Sequence, residues 1–368
     1  MPSISYHVLI DDLDQKHIDE LFEHLRRLQP DYINIKGGER FEKAMQFVER
    51  ASYEISHTKC ILRRWPDDGI LKRYNYNTDI WFREIISPIE EWLKIYKPIW
   101  LLDNESMEDN LTQYANASAT IMDIMGIKKL PVAVGRFSAG NPKERQYAQL
   151  DPIWAALKKW YGLHIWSPNE YFEKSNTYSG IGSIFRYHLG WQRCKDKFNF
   201  IPETVIGEFG LAYNYLSNEG FRKIGLDETQ YYNLCFTYFW KYYAPYNVTP
   251  CLFSVGNWNG FDVSKTFYDL NKTNEVNVPI IEQSGIINST GDKSKLYAVA
   301  IDDGIRIRQS PVNGKVLTGV RLYEQIEVIE DESTALSKFG VVGKWLHVRV
   351  RNIEGYTAAW YYAPCKCK

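Results

Sequence analysis

The sequence has no long apolar run and no excess of charge of either sign. None of its apolar stretches approaches the roughly 18 residues of a membrane span, and the first fifteen residues lack the basic stretch, apolar run and cleavage site of a signal peptide. Lysine and arginine number 44 against 45 aspartates and glutamates, which gives a formal net charge of -1. Because such a balance provides no attraction for a polyanion, we expect neither a nucleic acid nor a membrane as a partner.

Cysteine is scarce, with six residues in a chain of 368. Their spacing contains no paired motif of a metal site, and four of them lie in apolar or helical runs, where buried free thiols are expected. The tail Cys365-Lys366-Cys367 provides only two ligands, so a solvated tail is expected there. The sequence predicts no metal site and no cofactor. The four cysteines in apolar or helical runs are Cys60, Cys194, Cys235 and Cys251.

Aromatic residues, in contrast, are abundant, at 15% of the chain with 12 Trp and 26 Tyr. Such rings either pack a core or stack on a ligand, and composition leaves both explanations open. The length suits a barrel of about 250 residues followed by a module of roughly 60 residues. Two domains are therefore expected.

Short apolar, β-rich runs alternate with stretches of helical period from residue 4 to about residue 260. This alternation predicts βα units and a parallel sheet, and eight strands each followed by a helix close into a (β/α)8 TIM barrel, of the α/β class. An open doubly wound sheet is the alternative, but no glycine-rich phosphate loop follows the first strand. The predicted strands are 4–9, 32–36, 59–63, 99–102, 132–136, 163–166, 204–207 and 252–255.

Helices are predicted where apolar residues recur at spacings of three and four. The first covers 15–28, where Ile18, Leu21, Phe22 and Leu25 follow this rule. The same period is found in 82–96, 111–125, 152–161, 180–194 and 229–242.

The pattern changes after Phe261, and a final helix and a polar linker are predicted up to about residue 295. Beyond the linker, short alternating runs separated by glycine turns predict an all-β domain. We place the barrel domain at 1–275, the linker at 276–298 and the β domain at 299–368.

The β domain resembles the bacterial SH3 family over essentially its whole length. Ile305-Arg306-Ile307-Arg308 is similar to the family's opening strand, and Lys344-Trp345-Leu346-His347-Val348 is similar to its tryptophan strand. Gly355-Tyr356 with Trp360-Tyr361 is similar to the closing segment, while 333–342 is a longer insert. The resemblance implies a small SH3-like barrel, a module that often accompanies wall-lytic domains and could bind peptidoglycan.

Catalytic residues of a (β/α)8 barrel lie at the carboxyl ends of its strands. Glu105 follows the fourth predicted strand in Asp103-Asn104-Glu105, and Glu208 follows the seventh in Gly207-Glu208-Phe209-Gly210. Two carboxylates at one barrel mouth are the groups that hydrolysis of a glycosidic bond requires, and a separation near 5 Å favours retention of configuration.

Asn-Glu after the fourth strand and Gly-Glu-Phe-Gly after the seventh resemble the clan A glycoside hydrolases, which include families 5 and 39. The resemblance implies Glu105 as acid/base, Asn104 as a ligand of the sugar 2-hydroxyl and Glu208 as nucleophile. Ser106 stands where many family 5 members carry proline. An oligo- or polysaccharide is the implied substrate, an extracellular or cell-wall glycan.

Further substrate-binding residues are expected around this pair. Trp258, after the eighth strand, matches the platform that the clan places under the reacting sugar. His164 and Trp166 of the sixth strand match the aromatic or histidine support near the nucleophile. The arginine that the clan carries near the nucleophile could be Arg64, its neighbour Arg63, or Arg136.

Two alternatives to a clan A hydrolase remain at this stage. Asp103 and Glu105, with Asn34-Ile35-Lys36-Gly37 after the second strand, also resemble family 25 lysozymes, although the later strands match that family poorly. A barrel that binds glycan without cleaving it, or a structural barrel of an envelope or phage particle, would keep the same fold and aromatic residues.

Overall fold

The computed structural model describes two compact units. Those of the described residues that precede 233 or lie between 248 and 264 form the barrel unit, and those of 233–247 and from 295 onward form the carboxyl-terminal unit. The described residues are 4–38, 41–64, 69–104, 110–138, 141–173, 184–212, 220–256, 262–264, 295–300, 305–320, 324–339 and 343–366.

The strands of the first sheet are short, buried and parallel. In the described residues they are β1 Ser5–Leu9, β2 Tyr32–Gly37, β3 Lys59–Arg64, β4 Ile99–Leu101, β5 Val132–Val134, β6 Ile165–Trp166, β7 Asn169–Glu173, β8 Val205–Ala212 and β9 Thr249–Val255. Their order is β6-β5-β4-β3-β2-β1-β9-β8-β7.

This order describes a closed barrel, because β6 and β7 are two halves of one strand separated only by Ser167-Pro168. The first half pairs with β5 on one side and forms a parallel bridge from Trp166 to Thr204 on the other. The second half pairs in parallel with β8, from Asn169 and Glu208 onward. The eight-stranded (β/α)8 barrel predicted from the sequence is confirmed.

Helices follow the strands along the chain. In the described residues they are α1 Gln15–Leu28, α2 Phe41–Glu54, α3 Ile70–Arg73, α4 Thr78–Trp81, α5 Glu90–Tyr96, α6 Leu111–Ile127, α7 Asp151–Lys159, α8 Tyr187–Phe198 and α9 Glu228–Tyr242. Helix α1 shows how local chemistry sets such limits: the Asp14 carboxylate accepts a hydrogen bond from the His17 amide at its start, and Gln29 ends it in the left-handed region.

Two helix predictions need correction. The predicted helix 82–96 is interrupted: residues 82–86 are π-helical and 87–89 are 3-10 helical before α5 begins, because Pro88 provides no amide hydrogen for a regular helix. The predicted helix 180–194 overlaps α8, which begins at Tyr187. Residues 180–183 of that prediction lie outside the described residues, as do most of the predicted final helix and most of the linker.

The barrel interior is filled by side chains that point inward from neighbouring strands. This buried cluster consists of Tyr32, Ile61, Ile99, Leu101, Ala133, Ile165, Val205 and Cys251. Because side chains alternate along a strand, Arg63 lies on the same side as Ile61, one step nearer the carboxyl end. The interior therefore changes from apolar to polar towards the carboxyl ends of the strands.

The carboxyl-terminal unit contains a seven-stranded antiparallel sheet in the order β12-β11-β15-β14-β13-β10-β16. Its elements are β10 Leu296–Ala300, β11 Ile305–Arg308, β12 Val316–Val320, β13 Gln325–Val328, α10 Glu332–Leu336, β14 Trp345–Val350, β15 Ile353–Ala358 and β16 Tyr362–Lys366. Alternation in β14 buries Leu346, Val348 and Val350. The first strand of this sheet begins within the last residues of the predicted linker.

No helix in the described part of the chain is long and apolar enough to cross a membrane.

Candidate active site

Glu208 lies on β8 at the carboxyl end of the barrel and is 6% exposed. Its Oε1 accepts a hydrogen bond from Arg63 Nη1 at 3.0 Å. Its Oε2 accepts two more, from Asn169 Nδ2 at 3.2 Å and from the Tyr171 hydroxyl at 2.9 Å. An ionised carboxylate is acceptor-only, and three donors from two strands match it.

Arg63 is a positively charged residue that contacts Glu208 directly. It is 5% exposed at the end of β3, and it points inward because Ile61 does. Arg64 is turned outward by the same alternation, and its guanidinium lies 5.8 Å from the centre of the Phe41 ring. Of the two adjacent arginines, the structure places Arg63 beside the carboxylate.

Arg136 forms a second cationic centre next to this one. Its Nη2 donates to Ser167 Oγ at 3.0 Å and its Nη1 donates to Asn34 Oδ1 at 3.3 Å. Burial lowers the pKa of Arg136 to about 10, against the opposing effect of the negative charge on Glu208. Arg136 therefore remains charged at neutral pH.

Two glycines determine where Arg136 lies. A Cβ on Gly207 would lie 1.9 Å from Arg136 Nη2, so the guanidinium lies directly against the backbone of β8. Gly135 has φ +90, in the region that favours glycine. This turn shifts the alternation after β5 by one residue, so that Arg136 points into the barrel on the same side as Ala133.

His7 is held neutral beside the two arginines. Burial lowers its pKa well below the usual value, and the positive charges of Arg136, Arg63 and Lys36 lower it further. Asn34 accepts from Arg136, so its Nδ2 faces Gly207 O at 2.8 Å and His7 Nδ1 at 3.1 Å. His7 Nδ1 is thus an acceptor, and the ring proton lies on Nε2.

Among the described residues, the buried polar atoms of this cluster that lack a hydrogen-bond partner include His7 Nε2, a donor, and Asn169 Oδ1, an acceptor. Their residues are 0% and 4% exposed. An unpaired buried polar atom destabilises a fold by about 1–3 kcal/mol, so each of these two atoms needs a partner such as an ordered water or a bound ligand.

Asn104 lies at the same end of the barrel. It forms a parallel bridge with Arg136, and its carbonyl accepts from the Gly69 amide at 3.0 Å. The preceding Asp103 is 2% exposed, and its Oδ1 accepts from the Ile70 amide at 3.1 Å. Asp103 therefore fixes the start of α3. Glu105, predicted as acid/base, lies outside the described residues.

His164 and Trp166 are not brought to Glu208. His164 precedes β6 at the amino end of the barrel, where Nδ1 accepts from the Val132 amide at 3.2 Å and Nε2 lies 2.9 Å from Met122 O. Trp166 is fully buried and its ring centre lies 4.6 Å from that of Trp154 on α7, so it packs into the helix layer. Trp258 lies outside the described residues.

Sequence reasoning missed Asn169 and Tyr171, because the predicted sixth strand ended at 166. The signal for them was the alternation Asn169-Glu170-Tyr171-Phe172 directly after Ser167-Pro168. The neighbouring Glu170 is fully buried on the opposite face, where it accepts from the amides of Phe185 and Tyr187 at 2.7 and 2.8 Å. Glu170 thus fixes the start of α8 rather than the site.

Among the described residues, no group of three or more histidines, cysteines, aspartates and glutamates could hold a metal ion. Cys60, Cys194 and Cys251 are free thiols, and these three and Cys235 are buried.

The fold was compared with known proteins. No family model matches the chain, and neither does any curated protein. Solved structures similar to it include the endo-1,4-β-D-mannanase of Thermotoga petrophila, with 13% identity over 74% of this chain and 99% of that one and a TM-score of 0.43.

Two further similar structures have comparable values. The β-mannanase of Thermomonospora fusca is 11% identical over 71% of this chain and 82% of its own, with a TM-score of 0.42. A GH5 cellulase from an Icelandic hot spring isolate is 14% identical over 71% of this chain and 76% of its own, also with a TM-score of 0.42. With TM-scores below 0.5, the likeness adds nothing to the geometry described above.

Proposed function

We propose that the barrel is a retaining glycoside hydrolase that cleaves a β-linked glycan with Glu208 as its nucleophile. The observation that carries this proposal is the buried carboxylate of Glu208, held by Arg63, Asn169 and Tyr171 at the carboxyl end of a (β/α)8 barrel. Fixed donors hold the attacking oxygens in one orientation, which saves the entropy of positioning them during the reaction.

The reaction has two steps. Glu208 attacks the anomeric carbon from the face opposite to the leaving group, while Glu105, as general acid, protonates the glycosidic oxygen. The glycosyl ester that forms is then attacked by water, from which Glu105, now a base, removes a proton, and Glu208 leaves with its electron pair. Retention requires the two carboxyl groups to be about 5–5.5 Å apart.

The charges near Glu208 suit this sequence. Arg63 and Arg136 are two cations next to one carboxylate, and neutral His7 adds no charge. These residues together therefore keep a formal excess of positive charge when Glu208 is negative. This excess stabilises the negative charge that the Glu208 carboxylate regains when the glycosyl ester breaks.

Two expected sugar contacts are part of the same proposal. Asn104 would bind the 2-hydroxyl of the reacting sugar, and it shares the barrel mouth with Arg136. Trp258 would stack on the apolar face of a pyranose. No described observation favours the lysozyme alternative, since Asp103 is already engaged by the Ile70 amide.

The decisive experiment is chemical rescue of Glu208→Ala. The purified variant should be inactive on a panel that contains β-mannan, cellulose, peptidoglycan and aryl β-glycosides. Added azide should then attack the anomeric carbon of an aryl glycoside and yield a glycosyl azide of inverted configuration, identified by mass analysis and NMR. A matched exposed glutamate, Glu91→Ala, should retain full activity.

Two results would contradict the assignment. Activity of folded Glu208→Ala within a few-fold of the parent protein on any panel member that the parent cleaves would remove the nucleophile role. A parent protein that binds oligosaccharides but cleaves no panel member would favour the glycan-binding alternative. Melting curves of all variants separate loss of chemistry from loss of fold, which is needed because the change removes the carboxylate that the buried Arg63 contacts.

We further infer that the carboxyl-terminal sheet is an SH3-like module that attaches the protein to a cell wall. In support, β11, β14 and β15 coincide with the resemblance segments, and β14 presents Trp345 and His347 on its partly exposed face. The His347 ring stacks on Tyr356 of β15 at 4.6 Å. Sedimentation of the full chain with purified peptidoglycan should fall when Tyr356 is changed to Ala, whereas the exposed Lys344→Ala should match the parent.

A further inference from the structure

A cavity of about 510 Å³ opens at the amino end of the barrel, the end opposite to Glu208. It is lined by the first residues of several strands or by the residues just before them, among them Lys59 of β3, Ile99 of β4, Ile165 of β6 and Glu203 before β8. Its size lies within the range of about 300–1,000 Å³ that is typical of small-molecule sites.

The floor of this cavity is apolar. Ile99 and Ile165 belong to the buried interior cluster of the barrel, and Leu163, Pro98 and Pro131 extend the same surface outward. An apolar ligand body would cover the partly exposed Leu163 and Pro131, with the buried Ile99 and Ile165 behind them.

Two lysines at the cavity are without a counter-ion. Lys97 and Lys129 line it, both are exposed, and neither makes a side-chain hydrogen bond or ion pair within the described part of the chain. Their neighbours are neutralised: Lys59 pairs with Glu203 at 2.9 Å, and Lys128 pairs with Glu90 at 2.8 Å. The cavity therefore carries two uncompensated positive charges.

The backbone at both lysines is also unusual. Lys97 has φ 48 and Lys129 has φ 57, in the left-handed region that ends α5 and follows α6. Glycine is favoured there, and a residue with a Cβ costs about 1 kcal/mol. The chain thus places a lysine at two positions where local conformation favours glycine.

Exposed apolar side chains lie close in sequence to the residues that line the cavity. Each is one or two positions from a lining residue, at the carboxyl end of a helix or just after it. Single exposed apolar residues are ordinary, but their concentration at these helix ends adds apolar surface near the cavity. They are Tyr53, Ile95, Ile127, Tyr161 and Ile201, which are 45–78% exposed and include every exposed large apolar side chain identified in the described barrel unit.

We propose that this cavity binds a small amphipathic anion, with an apolar body on the floor formed by Ile99, Leu163 and Ile165 and a carboxylate, sulfonate or phosphate between Lys97 and Lys129. The site is separate from Glu208 and does not depend on the hydrolase proposal. An exposed lysine provides point-charge attraction without fixed geometry, so the site selects charge and apolar size more than the shape of the head group.

The test uses two probes that share an apolar body and differ in charge. 8-Anilinonaphthalene-1-sulfonate carries a sulfonate, and N-phenyl-1-naphthylamine is its uncharged analogue. Each is titrated into the full chain at pH 7, with fluorescence and calorimetry as readouts. We expect one saturable site for the sulfonate, displaced by decanoate or by phenyl phosphate, which identifies the head group accepted.

Three variants locate the site. Lys97→Gln with Lys129→Gln should weaken sulfonate binding about tenfold and leave the neutral probe unchanged. The matched double change Lys16→Gln with Lys195→Gln removes the same charge from exposed positions elsewhere and should have no effect. Ser56→Trp, at an exposed lining position, should block both probes.

Melting curves first establish that each variant is folded. The proposal is overturned if the parent protein shows no saturable sulfonate binding, if neither decanoate nor phenyl phosphate displaces the probe, or if the Lys97/Lys129 variant binds as the parent does. Glu208→Gln should leave binding unchanged, and a weaker affinity in that variant would place the probe at the opposite end and also refute the proposal.

Discussion

His164 allows a test of its structural role by pH. Its ring lies between the Val132 amide and the Met122 carbonyl at the amino end of the barrel, and burial lowers its pKa to about 4. With Nδ1 as acceptor, Nε2 carries the proton that it donates to Met122 O. Protonation of Nδ1 would remove the acceptor of the Val132 amide, so the folded state holds the neutral ring.

The sign of the pH effect follows from linkage. The unfolded chain takes up a proton on His164 near pH 6.5, whereas the folded chain does so only near pH 4. The free energy of unfolding is therefore unaffected by this group above pH 6.5 and falls as the pH falls from 6.5 towards 4. Between pH 7 and pH 5 the loss from this one residue is about 2 kcal/mol.

The perturbation is His164→Gln, which retains a donor for Met122 O but does not titrate. Urea unfolding at pH 7 and pH 5, followed by circular dichroism, should show a pH-dependent loss about 2 kcal/mol smaller in the variant than in the parent. His7 and His188 also have lowered pKa values and contribute to both proteins equally, so the difference isolates His164.

A destabilised control is needed, because the variant itself should be less stable by about 1–3 kcal/mol at pH 7. Leu157→Ala, a buried truncation on α7, lowers stability without removing a titrating group, and it should keep the parent's pH slope. Equal slopes in the parent and His164→Gln would show that the ring is already protonated or solvated in the folded state, and the structural role would be refuted.

Three further predictions concern residues of β7 and β8. Tyr171→Phe removes a hydrogen bond to the Glu208 carboxylate and should lower kcat/KM on an aryl glycoside about 10- to 100-fold with an unchanged melting temperature; unchanged kinetics would contradict the contact. Gly207→Ala should lower the free energy of unfolding by about 1–3 kcal/mol in urea titration, because its Cβ displaces Arg136, and a neutral effect would contradict that packing. Glu170→Gln should speed hydrogen exchange of the amides of Phe185 and Tyr187. Unaltered protection of these two amides would contradict their hydrogen bonds to the Glu170 carboxylate.

The strands of the barrel were predictable from sequence because each is a short apolar run between helical periods. β2 and β3 begin at the predicted residues, and the predicted end of β1 is also correct. The continuation of the sixth strand as β7 was missed, because Ser167-Pro168 has the composition of a turn. Proline lacks an amide donor but still accepts, and the Gly207 amide bonds to its carbonyl at 2.9 Å.

The site was predicted less completely than the fold. The sequence placed Glu208 at this end of the barrel because it follows the predicted seventh strand, and Arg136 because it closes the predicted fifth strand. The choice between Arg63 and Arg64 follows from alternation once Ile61 is known to face inward. Strict alternation fails for Arg136, because Gly135 at φ +90 shifts the register by one residue. His164 was assigned to the sugar from its strand alone, and only three-dimensional placement shows which end of that strand it occupies.

The contact between Arg136 and Gly207 also constrains how this chain can change over generations. A Cβ at 207 and a guanidinium at 136 compete for the same space, so any other residue at 207 displaces the arginine and lowers stability unless position 136 changes as well. The two positions therefore form an epistatic pair, in which the order of substitutions decides which intermediates survive. We expect directed evolution that randomises position 207 alone to retain glycine. A library that varies 136 and 207 together should yield folded variants that differ in charge at the carboxyl end of the barrel.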